Sequence, residues 1–110
     1  MMYAIIWLHF VADFVMQSHY VASNKSKNNR VLLYHVCVYG APLALVFGWK
    51  YGLINAALHF GTDYVTSRLS GKMWRAERVH DFFVVIGADQ AVHLMCLVAT
   101  MPLITLWWAP

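Results

Sequence analysis

Four apolar stretches, separated by polar or turn-forming residues, organise the chain. They run from about Tyr3 to Val21, Val31 to Trp49, Tyr51 to Leu69 and Asp81 to Trp108. The first three approach the ~20 residues that a helix needs to cross a bilayer. The fourth is longer, which predicts tilt, projection into water or a bend at Pro102. Asn24-Lys25-Ser26-Lys27-Asn28-Asn29-Arg30 is a polar, basic connection, Gly48-Trp49-Lys50-Tyr51-Gly52 a tight turn, and Ser70 to His80 a longer polar linker. The pattern predicts an all-α fold. It is a single transmembrane domain over residues 1–110, an integral membrane four-helix bundle with helices at about 3–21, 31–49, 51–69 and 81–108.

Composition supports the membrane reading. The chain is 61% hydrophobic and 12% charged, with a mean hydropathy of +0.54, whereas an ordinary soluble protein is about 25% charged. The net charge of +3 does not suggest nucleic-acid binding, because the basic residues are not set in a polar fold. Cys37 and Cys96 each sit in an apolar run and read as small buried hydrophobes rather than a disulfide or metal pair. The N-terminus has no basic region and Asp13 interrupts its apolar stretch, so no secretory signal is expected.

Charge also orients the helices. The first and third connections fall on one side and carry Lys25, Lys27, Arg30, Lys72, Arg75 and Arg78, with Arg68 beside them. The other side carries only Lys50. Basic residues favour the cytoplasm, so both termini are expected on the outer side of a multi-pass protein in the cytoplasmic (inner) membrane. Tyr3, Trp7, Trp49, Tyr51, Trp107 and Trp108 would then lie near the outer interface, where such aromatics concentrate.

Three of the five acidic residues lie inside these apolar stretches, each with a histidine four residues away: His9/Asp13, His59/Asp63 and Asp89/His93. That spacing puts both side chains on one helix face. Ionisable groups in lipid cost roughly 2.5–3.5 kcal/mol each and mark functional sites. Asp13 and Asp89 lie about 14 Å from the cytoplasmic helix ends and their histidines about 20 Å; Asp63 and His59 lie at roughly 9 and 15 Å. The fourth helix runs opposite to the first and its motif is reversed, so aspartate stays nearer the cytoplasm in all three. Imidazole and carboxylate are natural ligands for Zn, Mn, Fe or Co, and helix bundles build such sites from inward-facing side chains. His9, Asp13, His59, Asp63, Asp89 and His93 are therefore candidate ligands for one or two divalent transition metal ions. A metal-free packing network of Asp–His pairs is the plainer alternative.

Supporting roles fall to fewer residues. Gln17 continues the first helix's polar face at i+8, and Asn55 precedes His59 by one turn. His35, one turn into the second helix, fits a seventh ligand, a general acid–base or an interfacial side chain. Gln17 and His35 are the candidates for a catalytic role. Gln90 points about 100° from Asp89, towards another helix. His19 and His80 sit at membrane edges, where solvent reaches them. Arg68 and Lys25, at the basic rim, are the candidates to bind an anionic substrate group. Topology and attraction to anionic lipid explain the same charges without a substrate.

His9-x-x-x-Asp13-Phe14-x-x-Gln17, followed by Asn24-Lys25-Ser26-Lys27, resembles a family of short bacterial and phage membrane proteins, domain of unknown function 3307. His59-Phe60-x-x-Asp63-Tyr64 and Gly87-x-Asp89-Gln90-x-x-His93 resemble its later motifs, so the likeness covers nearly the whole chain. It implies a small multi-helix membrane protein and supplies no activity. The residues favour a metal-dependent membrane hydrolase or transferase that acts on a phosphate or ester group of a lipid-like substrate at the cytoplasmic leaflet. A proton or divalent-cation transporter and a non-catalytic interaction protein are the alternatives. Membrane lipids are the expected partners, and a homo-oligomer would seal the site better than one chain.

Overall fold

A computed structural model describes residues 1–107, and its described residues contain helices and no strand. Helix α1 covers Met2–Phe10 and passes into a π-helical turn at Val11–Val15. Short α2 covers His19–Asn24, α3 Asn29–Phe47, α4 Trp49–Arg75 and α5 Val79–Ala99, followed by a 3-10 turn at Met101–Leu103. The long helices α3 and α4 form one antiparallel pair, and α4 and α5 a second. Helix α1 and its π turn lie against α3, and α1 also meets α5.

Three helix boundaries differ from the sequence expectation. The first helix does not run to Val21. The Met16 amide donates to the Val11 carbonyl at 2.9 Å, a wider turn than the α-helical one, and the chain then breaks. Ser18, in extended conformation, restarts it by accepting at Oγ from the Val21 amide at 3.2 Å, a standard N-cap. The third helix passes beyond Leu69 to Arg75, because the linker's polar residues include no proline to interrupt the ladder. It ends before Glu77, which turns at φ 59°. The fourth helix stops at Ala99, with Pro102 in the 3-10 turn, where its missing N–H is tolerated. Trp108, the expected end of that helix, lies outside the described residues.

The interior has two zones. Ile5, Ala12, Tyr39, Leu43, Phe47, Tyr51 and Leu97 form an apolar cluster. Tyr51 belongs to it and donates to the Leu97 carbonyl at 2.8 Å, so its side chain packs inside the bundle. Asn55 donates to the Tyr51 carbonyl and to Thr100 Oγ1, each at 2.9 Å, which ties α4 to the end of α5. The second zone is polar and is fed largely by α4. That helix buries Asn55, His59, Asp63, Ser67 and Ser70 while Leu53 and Val65 are 62% and 60% exposed. A water-soluble helix shows the reverse pattern.

Two helices, α3 and α5, are long and apolar enough to cross a membrane, and Met2–Val15 is apolar but shorter. Cys37 and Cys96 are free thiols; Cys37 is exposed rather than buried as expected.

Gly48 alone joins α3 to α4, at φ 101° and ψ 151°, a region that L side chains rarely adopt. Thr105 closes over it and donates its amide to the Phe47 carbonyl at 2.9 Å. Gly48→Ala is expected to destabilise the protein by about 1–3 kcal/mol, read as a lowered unfolding midpoint in detergent micelles.

Candidate metal centre

Every pair singled out by spacing reaches the same buried zone. His9, Asp13, His59, Asp63, Asp89 and His93 are all buried, and so is His35. His35 is 1% exposed, which removes the interfacial reading. Its ring on α3 meets Asp13 of the π turn and His59 and Asp63 of α4, and Tyr39, one turn on, stacks on His59 with centroids 4.0 Å apart. His59 in turn stacks on His93 at 3.9 Å. This three-ring pile fixes the imidazole planes.

The tightest grouping joins His35 Nε2, His59 Nε2, Asp13 Oδ1 and Asp63 Oδ2. Five of its six separations are 3.0 Å (His35–His59), 3.1 Å (His35–Asp13), 3.4 Å (His35–Asp63), 3.4 Å (His59–Asp13) and 3.3 Å (His59–Asp63). Ligand atoms ~2.0–2.2 Å from one tetrahedral ion are about 3.3–3.6 Å apart. Three of the five separations fall in that range, the two from His35 Nε2 to His59 and Asp13 are shorter, hydrogen-bond distances, and all four donors lie within 4.8 Å of one another, close to the spread of one tetrahedral set.

The other carboxylate oxygens face the opposite way. Asp63 Oδ1 lies 3.7 Å from His93 Nε2, Asp13 Oδ2 lies 3.8 Å from His93 Nδ1, and Asp89 Oδ2 lies 3.4 Å from the same nitrogen. This second half is looser. Neither His93 nitrogen has a hydrogen-bond partner, although both are buried, and His59 Nδ1 is likewise unpartnered. The two His93 nitrogens are thus buried donors or acceptors that face carboxylates without a hydrogen bond. Donor atoms of Asp13, His35, His59 and Asp63, of His9, Asp13 and His93, and of Asp63, Asp89 and His93 lie within 4.8 Å of one another in each group.

His9 plays a different part from the one its spacing suggested. Its Nε2 is 2.8 Å from Gln90 Oε1 and its Nδ1 is 2.9 Å from the Tyr39 hydroxyl. Gln90 Oε1 can only accept, so Nε2 carries the proton and, in the neutral ring, Tyr39 donates to Nδ1. Both nitrogens are occupied, leaving none for an ion in this arrangement. Gln90 passes the constraint on, donating to Asp89 Oδ2 at 3.0 Å and to Asp13 Oδ2 at 3.3 Å. As expected from its direction, Gln90 bonds across helices. Thr66 Oγ1 donates to Asp89 Oδ1 at 2.5 Å.

The basic residues divide. Lys25 does not wait at the rim; its Nζ is 2.9 Å from Asp63 Oδ2. Arg68 is turned away. It donates to Asn29 Oδ1 at 2.6 Å and to the Tyr64 carbonyl at 3.0 Å, and lies 3.7 Å above the Tyr64 ring. Its five-residue step from Asp63 turns it about 140° round the helix, so it faces outward and not towards a substrate near the donors. Gln17 lines a cavity beside Asp13, with its Oε1 buried and unpartnered, but holds none of the donors. Asn55 meets Thr100 and Tyr51, not the site. His19 and His80 are exposed as expected.

The family model for protein of unknown function (DUF3307) matches residues 1–109. The chain belongs to that family. Searches of curated proteins and of solved structures give no match. For this member, the residues that spacing overlooked are Tyr39 and Thr66. Tyr39 follows His35 by four residues and Thr66 follows Asp63 by three, so the same periodicity finds both once His35 is admitted.

Tyr39→Phe is expected to destabilise the fold by about 1–3 kcal/mol, since it leaves a buried His9 nitrogen unpaired. Reversible unfolding in micelles measures it; an unchanged midpoint would refute the assigned donor–acceptor chain.

Proposed function

We propose that this chain is a metal-dependent integral membrane enzyme that hydrolyses or transfers a phosphate or ester group of a lipid-like substrate. In this reading it is a multi-pass protein of a bacterial cytoplasmic membrane. The four long helical elements cross as a bundle, with both termini outside and the site facing the cytoplasmic leaflet. The single observation that carries the reading is the near-tetrahedral set of His35, His59, Asp13 and Asp63.

The inverted face of α4 supports the membrane setting. Polar groups are buried while Leu33, Leu45, Phe83 and Met95 are 55%, 67%, 61% and 63% exposed. Such a surface suits lipid and is costly in water. Tyr3, Trp7, Trp49 and Trp107, at 81%, 67%, 65% and 73% exposure, suit one interface.

A bound divalent ion supplies Lewis acidity and makes water a nucleophile near neutral pH. The chain's own residues hold that chemistry in place. His35 and His59 present neutral nitrogens to one side. Asp13 and Asp63 each offer one oxygen to that side and the other to His93, Asp13 to its Nδ1 and Asp63 to its Nε2. His9 and Gln90 fix the orientation of Asp13 and Asp89, and such supporting contacts tune metal sites. Lys25 offsets the charge of Asp63 and offers an ammonium to an incoming anion. Ile5, Leu43, Phe47 and Leu97 fill the core beyond the aromatic pile, which disfavours a continuous polar path and hence the transport alternative. All the donors come from one chain, so the site needs no second copy.

Two measurements test the proposal. Protein purified in detergent without added metal should hold at least about one equivalent of a transition metal by elemental mass spectrometry. His35→Ala and His59→Ala should each reduce it to below ~0.2 equivalent, whereas Lys25→Met should retain the ion and bind it several-fold more tightly. Metal-free wild-type protein that is unaffected by chelators would rule the reading out. Topology is tested separately with Cys37 and Cys96 replaced by serine. Lys50→Cys should react with a membrane-impermeant maleimide on intact cells and Lys27→Cys only after lysis; the opposite pattern would reverse the orientation.

A further inference from the structure

A cavity of about 690 Å³ leads away from the donors. Its inner end is lined by Asp13, Asp89 and Gln90, and its outer end by Lys27 and Arg75 with Ser67 between them along α4. Neither Lys27 nor Arg75 meets a carboxylate among the described residues; the ion pairs of basic residues there are Lys25–Asp63 and Arg78–Asp81. The Arg75 guanidinium folds back over Gly71, with Nη1 3.3 Å from where a Cβ on that residue would lie. The side chain thus turns back along α4 to the cavity rim while the residue stays exposed. The Ser67 hydroxyl is buried at 9% exposure and has no hydrogen-bond partner. A buried orphan hydroxyl beside two unpaired cations is an incomplete anion site.

Part of the lining is apolar. Trp74 of α4 and Phe82, Phe83 and Ile86 of α5 contribute to it, and Trp74 and Phe83 are themselves 58% and 61% exposed. The apolar wall thus continues onto the outer surface, giving hydrocarbon a route in from the side. A free phosphate would use the cations and leave this wall in water.

We infer that this cavity binds a lipid bearing a phosphate monoester head, with Arg75, Lys27 and Ser67 on the phosphate and the chains against Trp74, Phe82, Phe83 and Ile86. A phosphate monoester carries about −1.5 to −2 charges near neutral pH, which matches two unpaired cations better than a zwitterionic diester does. The inference rests on the lipid-acting reading above and names its head group. The phosphate subsite is separate from the His/Asp donors, so it does not need the ion.

Dioctanoyl phosphatidate binding is measured by tryptophan fluorescence in detergent, in the presence of chelator and after metal loading, against dioctanoyl phosphatidylcholine, dioctanoylglycerol and inorganic phosphate. Phosphatidate should bind at least about tenfold more tightly than either other lipid, and Arg75→Gln and Lys27→Gln should each weaken it about tenfold. Its affinity in wild-type protein should fall as salt rises, while that of dioctanoylglycerol should not. Equal affinity for the three lipids, or unchanged affinity in both variants, overturns the proposal. Inorganic phosphate that binds as well as phosphatidate overturns the lipid assignment and leaves a free-anion site. Metal content of the same preparations separates the two readings. Tight phosphatidate binding by protein without metal supports the subsite against the enzyme, and a metal-loaded protein blind to phosphatidate does the reverse.

Discussion

Mutual neutralisation among buried ionisable groups governs this molecule. Asp13, Asp63 and Asp89 share an interior with four imidazoles and the ammonium of Lys25. An ionised carboxylate removed from water costs several kcal/mol unless it is paired. Lys25 offsets one of the three negative charges, so ionised carboxylates leave a deficit of two. One divalent ion removes that deficit. A second would leave two positive charges, which an anionic group of a bound ligand would balance. Protonation of one imidazole and one carboxyl balances the same charges without an ion, whereas three ionised carboxylates beside a single ammonium and neutral imidazoles stay unbalanced. The polar face of α4, the Gln90 relay and the inward reach of Lys25 all serve this balance.

The same balance explains why the π turn matters. A π turn widens the helix locally, and such turns recur at functional sites. Here it contains Asp13, whose two oxygens face the two halves of the donor cluster. The break that follows at Met16 to Ser18 returns the chain to the mouth, so Lys25 at the end of α2 comes within reach of Asp63. A continuous helix to Val21 would have carried the following residues straight on instead.

How much of this was legible depended on whether the signal was local. The i,i+4 pairs were, because helical periodicity alone sets which face a side chain takes. All six residues do lie in one buried zone. His35 was legible only as one of three readings, ligand, acid–base or interfacial, since it has no acidic partner on its own helix; its carboxylates come from the π turn and α4. His9 was read as a ligand because spacing reports direction and not hydrogen-bond occupancy, which Tyr39 and Gln90 decide from other helices. Arg68 was misread despite a local signal, for a five-residue step faces away from the donors. The π turn had no sequence marker at all. The extension of α4 was hidden by composition: Ser70 to Arg75 is polar enough for a loop, and its Gly71 is a common helix end that here stays helical, with no proline to interrupt the ladder.

The two halves of the cluster differ in a way that bears on chemistry. His35 and His59 are each 1% exposed and close-packed against the aromatic pile, and the cavity does not reach them. It reaches Asp13 and Asp89 instead, on the looser side where His93 faces three carboxylates at 3.4 to 3.8 Å. Structural metal sites close all positions with protein ligands, while catalytic ones keep a position open. A ligand arriving through the cavity therefore meets the incomplete half first, with the complete half behind it. Asp13 and Asp63 belong to both halves, so a change of charge on the open side is felt on the closed one. Under the proposed function, the open side is where an incoming group would meet the donors.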